Sequence, residues 1–447
     1  MQNLEIFTNP DAARTVLQNH LPGFSHHQLQ IDRCRILNSR YKTFLKDQSN
    51  EKSFLSICYQ LGISRRENGA VDDHILYAKI FPPHASDREF SKTLNLRLSQ
   101  PKFGMALSHL ADFDMLVWSF PNDPTLTSLQ DIMRLQSVKR YFPYQHIACK
   151  SPEHLTALQT TVVNYRPEIR CTTRFEISFK HRDKIANLVL YGKTFADDSG
   201  AEIYQRNQNL WRLLGQSKLN FKIARPLDYV AEIRTIWQQA LPGVSLLSLI
   251  NARSNRAIFK SIAQGLANFH ELDWQVGNRI TVDEILSECR KKAGKLLNAF
   301  PEQRETITAI HHQLQAVNSK LPPVNETLIH GDFHINQLLY HRNQIALFDF
   351  DELAIGDPMQ DLANFIVDLL TQPIDANLAI SLSRVFLNNY SKLKPICVER
   401  LRWHLTAQFL TKAYRLYWQQ AECLPDKINK LLSLARQGVP ELLRQPV

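Results

Sequence analysis

The sequence lacks the features that mark membrane and secreted proteins. No apolar run approaches the length of a membrane-spanning helix, and the first residues, MQNLEIFTNPDAA, contain no basic segment followed by an apolar one. The seven cysteines are scattered, odd in number and form no CxxC pair. Cysteines of this kind are typical of reduced thiols rather than of a disulfide framework. We therefore expect a cytoplasmic protein without a membrane partner.

The sequence also lacks a block of charge of one sign. A formal net charge of +10 could by itself indicate a nucleic-acid or anionic-membrane partner. However, basic residues alternate with acidic ones, as in KHRDK and PDKINK, and no Arg/Lys block or RNA-binding motif occurs. We expect a mildly basic, solvated surface and no nucleic-acid partner. The sequence leaves the oligomeric state open.

The chain itself is long enough for two or three domains, at 447 residues with 44% hydrophobic and 21% charged residues. Its most informative stretch is LIHGDFHINQLLYHRNQIALFDFD, at 328–351. An apolar segment leads into a polar turn that contains Asp332, and two short apolar strands follow. A hairpin of such strands brings Asp332, Gln337 and Asp349 to one end.

These three side chains fit one kind of chemistry. Phosphoryl transfer from ATP needs a carboxylate that accepts a hydroxyl proton, and a metal held by oxygen ligands such as a carboxylate and an amide. The alternative is that a His-Gly-Asp turn beside an apolar hairpin is only a turn. Two linked motifs, followed by Gly356-Asp357-Pro358 and by Asp361, argue against that alternative.

The same stretch resembles the aminoglycoside phosphotransferase and choline kinase family, whose fold is protein-kinase-like. The family pattern HGDxHxxN, then a strand and DxD, stands here as HGDFHINQ and DFD. The resemblance implies that Asp332 is the catalytic base and that Gln337 and Asp349 hold Mg²⁺. Gln337 replaces the usual Asn, an exchange that bacterial maltokinases also carry. Asn336 would point to the other side of an extended segment, so we keep Gln337 as the ligand.

Residues after the hairpin have supporting roles in this interpretation. Asp351 would assist a second metal or cap the hairpin. In the resembled family a GDPxxDLA segment holds the catalytic loop, which implies that Asp361 braces the loop from below. Asp357 fits the start of a helix better than a metal ligand. His270, without metal-ligand spacing to acidic residues, is expected to be a surface or packing histidine.

Residues 1–150 and 151–250 read as two versions of one unit. The segment ILYAKIF at 75–81 is followed by Glu89, and VLYGKTF at 189–195 is followed by Glu202. A Trp-bearing apolar strand comes later in each. The order of strand, strand, Lys-bearing strand, helix, strand and Trp-bearing strand is that of a kinase-like N-lobe. We predict a duplication in which Lys79 and Lys193 occupy equivalent positions.

The second copy carries the predicted nucleotide contacts. In kinase-like enzymes a strand lysine holds ATP phosphates and a helix glutamate holds that lysine, which assigns Lys193 and Glu202 to these roles. A solvated lysine and a glutamate favoured by the helix dipole are the alternative. By resemblance, backbone groups near Gln239 and Leu241 would meet the adenine, before a hinge at Pro242-Gly243.

No glycine-rich phosphate loop precedes Lys193. The segment YRPEIRCTTRFEI contains no glycine, so a phosphate cover would use backbone turns or Arg166 and Arg170, which fit surface residues equally well. The first copy has Lys79 and Glu89, but the chain contains a single HGD, and the one DFD that follows it begins at Asp349. We therefore expect the first copy to be a cap or brace, and Lys79→Ala to retain most phosphotransfer.

The sequence as a whole predicts an α+β protein with a bilobal protein-kinase-like fold and an extra N-terminal α+β domain that resembles a duplicated N-lobe. The predicted domains are 1–150, 151–243 and 244–447. The predicted function is an ATP- and Mg²⁺-dependent small-molecule kinase that phosphorylates a hydroxyl group, first of a sugar or related polyol. An aminoglycoside or choline-type acceptor is the alternative, and an ATP-binding pseudokinase that recruits a partner is another.

Overall fold

The computed structural model describes residues 4–24, 29–42, 53–65, 71–182, 184–215, 221–250, 256–274, 276–421 and 423–442. The chain forms two compact units. The first, which we call the sheet unit, contains Met1–Tyr204, Pro226–Ala240 and Trp418–Glu422. The second, the helical unit, contains Gln205–Arg225, Leu241–Tyr417 and Cys423–Val447. The predicted division into three domains stays a prediction.

The first part of the sheet unit is built on one antiparallel sheet of order β1-β2-β3-β5-β4. The apolar sides of its strands are buried against the N-terminal helices in a core that includes Leu17, Tyr59 and Val117. Its elements are α1 (Glu5–Thr8), α2 (Pro10–His20), β1 (Leu29–Lys42), β2 (Phe54–Arg65), β3 (Val71–Ile80), α3 (Ser86–Thr93), β4 (Leu107–Leu110), β5 (Met115–Ser119), α4 (Leu129–Ile132) and α5 (Leu135–Val138).

A second five-stranded antiparallel sheet follows, of order β10-β11-β8-β7-β6. The alternation of buried and partly exposed residues along RCTTRFEISF, at 170–179, is that of a strand with one face on a core. The elements of this segment are β6 (Leu155–Arg166), β7 (Arg170–His181), β8 (Lys184–Phe195), α6 (Ser199–Gly215), β9 (Phe221–Lys222), β10 (Pro226–Val230) and β11 (Thr235–Gln239).

The two sheets have the same topology, which confirms the predicted duplication. In both sheets the first three strands of the copy are neighbours in sequence order, and the third of them carries the lysine. The last strand of the copy then lies between this third strand and the fourth. Lys79 on β3 lies opposite Leu116 of β5. Lys193 on β8 lies opposite Ile236 of β11. The two lysines therefore occupy equivalent positions.

The turn before the last strand repeats as well. In each copy a 3₁₀ turn stands directly before the last strand and is followed by a left-handed residue, Asp114 in the first copy and Arg234 in the second, both with φ of 46°. The carbonyl of Asp114 accepts a hydrogen bond from Phe81 N at 2.9 Å, and that of Arg234 accepts one from Phe195 N at 3.0 Å. A shared irregular backbone feature supports duplication more specifically than strand order alone.

Three features of these sheets did not follow from the sequence. Trp118 pairs with Tyr77, whereas Trp237 pairs with Gly192, so the tryptophans of the two Trp-bearing strands are one residue out of register and face opposite sides of their sheets. The first strand of the first copy, β1, ends at Lys42. Of the two strands that precede Lys79, the second, β2, was not recognised in the sequence.

The Lys–Glu pattern of the first copy does not form a pair. Lys79 Nζ instead lies 2.9 Å from Glu168 Oε1. Glu89, in α3, lies 2.6 Å from Lys92 Nζ. The first copy thus keeps the lysine of the pattern but uses it in a different contact.

The helical unit contains the remaining helices and two small sheets, of order β12-β15-β16-β9 and β13-β17-β14. One face of the helix Arg256–Phe269, with apolar residues spaced three or four apart, is buried, and it consists of Phe259, Ile262, Leu266 and Phe269. Its further elements are β12 (Val244–Ser245), α7 (Arg256–Phe269), β13 (Arg279–Ile280), α8 (Val282–Ala299), α9 (Arg304–Asn318), β14 (Thr327–Ile329), β15 (Leu338–His341), β16 (Gln344–Leu347), β17 (Ala354–Gly356), α10 (Pro358–Leu370), α11 (Ala376–Tyr390), α12 (Val398–Trp418) and α13 (Leu424–Gln437).

The mixed helix and sheet content agrees with the predicted α+β class. Among the described residues, no helix has the length and apolar character needed to cross a bilayer. All seven cysteines are described, and none forms a disulfide.

Candidate active site

The turn that carries Asp332 depends on a glycine. Strand β14 leads into His330, whose side chain is fully buried, and Gly331 follows with φ of 83°. A Cβ atom at Gly331 would lie 2.3 Å from the carbonyl oxygen of Glu352. Both the backbone conformation and the close approach therefore require glycine. The turn places Asp332 at the surface, with 47% of its side chain exposed.

Asp361 holds this turn from α10. Its Oδ2 accepts a hydrogen bond from His330 N at 2.7 Å, and its Oδ1 accepts one from Gly331 N at 3.0 Å. The side chain of Asp361 is completely buried, where two backbone donors satisfy a carboxylate that would otherwise be costly. The predicted brace is confirmed.

His270 extends the brace, which agrees with the packing role and not with the surface role among the two expected for it. It is buried, with Nε2 3.2 Å from Asp361 Oδ2 and Nδ1 2.8 Å from the hydroxyl of Tyr390. His270 comes directly after α7 and Tyr390 ends α11. The contact links residues 91 and 120 positions apart, so no local sequence signal could have revealed it.

Two further residues of α10 hold the same turn. Asn364 Nδ2 donates to the carbonyl oxygen of Gly331 at 2.9 Å, and Gln360 Nε2 donates to it at 3.3 Å. Neither residue was predicted from the sequence to support this turn. The spacing of Asn364 offered a signal for its role, because it lies three residues after Asp361 on the same helix face.

Gln337 is buried beside Asp332. It is 2% exposed, whereas Asn336 is exposed to solvent. Its Nε2 donates to Asp332 Oδ2 at 3.3 Å, and its Oε1 is buried without a hydrogen-bond partner. A carboxylate only accepts, so this contact fixes the amide with its oxygen turned away from Asp332. The segment 335–337 is a 3₁₀ turn rather than the expected extended segment, but the choice of Gln337 over Asn336 is unchanged.

The hairpin brings the chain segment of Asp349 next to that of Gln337. Strands β15 and β16 pair from Leu338 with Leu347 to His341 with Gln344, around a two-residue turn. Phe348 N then donates to the carbonyl oxygen of Gln337 at 3.2 Å. Asp349 follows with φ of 68°, a left-handed conformation that is uncommon for residues other than glycine and is often found at functional sites.

The donor set fits Mg²⁺. A buried amide oxygen without a protein partner and a carboxylate are oxygen ligands, and Mg²⁺ is often held by one or two carboxylates with substrate phosphates completing its shell. Within the described ranges, no three His, Cys, Asp or Glu side chains converge as a metal site. A metal here would therefore depend on Gln337, Asp349 and the nucleotide.

His334 lies beside the exposed carboxylate. Its Nε2 is 3.6 Å from Asp332 Oδ2 and its Nδ1 is 4.0 Å from Asp368 Oδ2. Burial lowers the pKa of His334 below its usual value, although both carboxylates act in the opposite direction. The imidazole next to Asp332 is therefore neutral at neutral pH.

Comparison with known proteins agrees with this geometry. Residues 199–396 match the model of a family described as the phosphotransferase enzyme family. The matched range contains Asp332, Gln337, Asp349 and Asp361. This part of the chain is therefore similar to the phosphotransferase enzyme family. The resemblance drawn from HGDFHINQ and DFD is confirmed.

Individual relatives of the chain are distant. An uncharacterized protein of Deinococcus radiodurans is 29% identical over 160 residues, which are 35% of this chain and 46% of that protein. Acyl-CoA dehydrogenase family member 11 of Mus musculus is 23% identical over 167 residues, 33% of this chain and 21% of that protein. The chain thus spans less than half the length of these curated relatives. A solved amicoumacin kinase, in complex with AMP-PNP and Ca²⁺, is 15% identical, with a TM-score of 0.48 over 69% of this chain and 98% of that one.

The residues expected to contact the nucleotide lie at the predicted elements. Lys193 is on β8, with Nζ 5.7 Å from the centre of the Phe195 ring. Glu202 is in the first turn of α6. Gln239 ends β11, and Leu241 comes shortly after it, at the start of a segment of the helical unit. Their roles remain proposals.

A second buried carboxylate, Asp357, organises the start of α10 in the helical unit. It accepts from Met359 N at 2.9 Å, from Arg400 Nε at 2.6 Å and from His404 Nε2 at 2.8 Å. The expected helix-start role is confirmed. Burial by itself would raise the pKa of Asp357, but the hydrogen bonds and charge of these partners lower it to about 2.

Asp357 should therefore stabilise the helical unit in a pH-dependent way. A folded pKa near 2 against an ordinary 3.8 means that the stabilisation is complete above about pH 4 and is lost as the pH falls toward 2. Asp357→Asn keeps a side chain that caps helices but carries no charge. We expect the difference in free energy of unfolding between wild type and variant to shrink by about 2 kcal/mol between pH 5 and pH 2.

The measurement is urea unfolding of both proteins across this pH range. Asp283→Asn, which changes an aspartate at the start of α8, is the matched control. A difference between wild type and Asp357→Asn that stays constant with pH would contradict the assignment.

Proposed function

We propose that the chain is an ATP- and Mg²⁺-dependent kinase that transfers the γ-phosphate to a hydroxyl group of a small molecule. The observation that carries the proposal is the contact of the half-exposed Asp332 with the buried Gln337, whose Oε1 lacks a protein partner. The proposal includes no nucleic-acid or membrane partner. A cytoplasmic location is part of it, supported by seven cysteines that form no disulfide.

Asp332 is proposed as the catalytic base. The turn that presents it is fixed at its backbone by Asp361 and Asn364, and Gln337 donates to its Oδ2. A carboxylate held in this way orients the acceptor hydroxyl and accepts its proton, at little reorganisation cost when the reaction occurs.

Gln337 and Asp349 are proposed to hold the metal. When bound, Mg²⁺ neutralises charge on the phosphates of ATP. The chain contributes a rigid pair of oxygen ligands, because the hydrogen bond from Phe348 N to the Gln337 carbonyl ties the two segments together. Lys193, held by Glu202, is proposed to bind phosphates, and backbone groups near Gln239 and Leu241 the adenine.

A sugar or related polyol is the proposed acceptor. The support is Gln337 in place of Asn, the additional N-terminal domain and the net charge of +10, which disfavours a polycationic acceptor. Aminoglycosides and choline-type amino alcohols are the second class of acceptor in this proposal.

A specific observation favours a second function, ATP binding without turnover. The turn at 166–170, between the first two strands of the Lys193 sheet, contains no glycine. Glu168 N donates to Asp123 and Ile169 N donates to the carbonyl of Arg166, so both amides at its tip are already engaged. A phosphate cover built on these amides is therefore absent in this conformation.

ADP release separates the two functions. The purified chain would be incubated with ATP, Mg²⁺ and a panel of sugars, polyols, amino alcohols and aminoglycosides. Release that depends on one class of acceptor supports the kinase and identifies its substrate class. Binding of ATP without acceptor-dependent ADP release across the panel would favour the pseudokinase.

Gln337 provides a test of the metal site. Gln337→Asn keeps an amide oxygen on a shorter stem, so we expect measurable activity. Gln337→Leu, of similar volume, removes the ligand, and we expect the Mg²⁺ concentration for half-maximal activity to rise by about tenfold or more, within the range for loss of one polar ligand contact. Titration of activity with Mg²⁺ checks both. An unchanged Mg²⁺ requirement in Gln337→Leu would make Asn336 the candidate ligand.

A further inference from the structure

Side chains of the N-terminal domain bind the turn at 166–170. Lys79 Nζ lies 2.9 Å from Glu168 Oε1 and 3.2 Å from Oε2, so the contact is made to both oxygens. Arg40 adds a contact at 3.6 Å to Oε2. Each of the three side chains is less than one fifth exposed. An ion pair shielded to this extent is screened less by salt than a surface pair.

The backbone of the same turn is held independently. The buried Asp123 accepts from Glu168 N at 2.9 Å and from the hydroxyl of Tyr165 at 2.7 Å. Asn38 Nδ2 donates to the carbonyl oxygen of Tyr165 at 2.5 Å. Asn38, like Asp123, belongs to the first copy, so side chain and backbone of the turn are both fixed from outside its own sheet.

An apolar cluster lies beside these polar contacts. Tyr165 and Cys171, which flank the turn, are buried together with Tyr77 and Trp118 of the first sheet. Glu168 itself has φ of 62°, a left-handed conformation at the tip of the turn. Such a conformation in a residue other than glycine persists where the surroundings over-determine it.

The position of this turn within its sheet relates these contacts to ATP binding. It joins β6 to β7, the first two strands before the strand of Lys193, and the corresponding loop of kinases covers the ATP phosphates. In the first copy, Lys79 holds the position that Lys193 has in the second. The carboxylate of Glu168 therefore contacts Lys79 in the way that an ATP phosphate would contact Lys193.

We propose that Lys79, Arg40 and Asp123 form a clamp through which the N-terminal domain fixes the turn at 166–170 and so sets the affinity for ATP. The proposal rests on the proposed kinase function. The clamp residues are positioning residues, because they act through the turn rather than on the nucleotide. Because the amides of Glu168 and Ile169 are already engaged, the turn would contribute to ATP binding through the side chains of Arg166 and Arg170 rather than through its backbone. Ordering the turn in advance removes part of the entropy cost that ATP binding would otherwise carry.

The test breaks the clamp in two ways. Glu168→Gln removes the charge of the turn, and Lys79→Met removes the charge of the clamp while keeping the stem. Lys79→Arg preserves a cation that reaches Glu168. The matched control is Arg33→Met, which breaks the exposed Arg33–Asp73 pair of the same domain, at 2.8 Å. For each variant, the Kd of ATP with Mg²⁺ is measured by calorimetry and kcat and the KM of ATP and acceptor by steady-state kinetics.

We expect the Kd and KM of ATP to rise about five- to twentyfold in Glu168→Gln and Lys79→Met, with Lys79→Arg and Arg33→Met within about twofold of wild type. The kcat and the acceptor KM should change by less than about twofold, in line with the expectation that loss of Lys79 retains most phosphotransfer at saturating ATP.

Unchanged or tighter ATP binding in both clamp variants would overturn the clamp and leave the kinase proposal intact. An equal loss of ATP affinity, acceptor affinity and kcat would also overturn the clamp, because it would indicate general structural support. If Lys79→Met does not fold, Glu168→Gln, which retains the bond from Glu168 N to Asp123, decides alone. A wild-type chain that does not bind ATP overturns the kinase function and the clamp together.

Discussion

An Asp332→Asn variant is expected to lose about a hundredfold or more of its kcat while it binds ATP with Mg²⁺ almost as tightly as the wild type. The amide keeps the volume of the carboxylate and can still accept a hydrogen bond, but it does not take up the hydroxyl proton. The loss expected for removing a general base is about 10²–10⁴-fold. Because Asp332 is half exposed and its turn is fixed through Gly331 and Asp361, the substitution should leave the fold unchanged.

The matched variant is Asp349→Ala, which removes the proposed metal ligand at the same end of the hairpin. It should abolish the part of ATP binding that depends on Mg²⁺, so binding and turnover fail together. Calorimetry with and without Mg²⁺, combined with single-turnover kinetics, distinguishes the two patterns. Equal turnover in Asp332→Asn and wild type would remove Asp332 from the role of base.

An Asp361→Ala variant is expected to lose about 3–5 kcal/mol of stability, the range for removing one member of a buried charged or hydrogen-bonded group. The side chain is fully buried, and its loss leaves His330 N, Gly331 N and His270 without their acceptor. The turn that presents Asp332 would lose its support at the same time. We therefore expect kcat to fall even in the fraction that remains folded.

Thermal unfolding and kinetics at a temperature well below the midpoint measure the two effects separately. Asp361→Asn retains one acceptor oxygen and should lie between wild type and Asp361→Ala in both. His270→Gln, which removes only the third contact, should change kcat less than Asp361→Ala does. A midpoint and a kcat for Asp361→Ala equal to those of the wild type would show that the turn does not depend on this brace.

The part of the site that follows from the sequence alone is the part made within a few residues. Gly331 is required by a left-handed turn, and the two short apolar strands after it define the hairpin that carries Gln337 and Asp349. Asp357 and Asp361 were assigned correctly, the first because helix starts favour aspartate and the second from the family pattern. The duplication was visible because LYAKIF and LYGKTF repeat a strand with the same lysine.

The contacts that only the tertiary structure decided join residues far apart in the chain. Nothing near His270 in sequence indicates that it supports Asp361, 91 residues away. Lys79 pairs with Glu168, 89 residues away, and not with the nearby Glu89. Local pattern determines which face a side chain occupies, since helical and strand periods are short. Which partner meets that face depends on how distant elements pack, and this is where the brace behind Asp332 and the clamp on the turn at 166–170 arise.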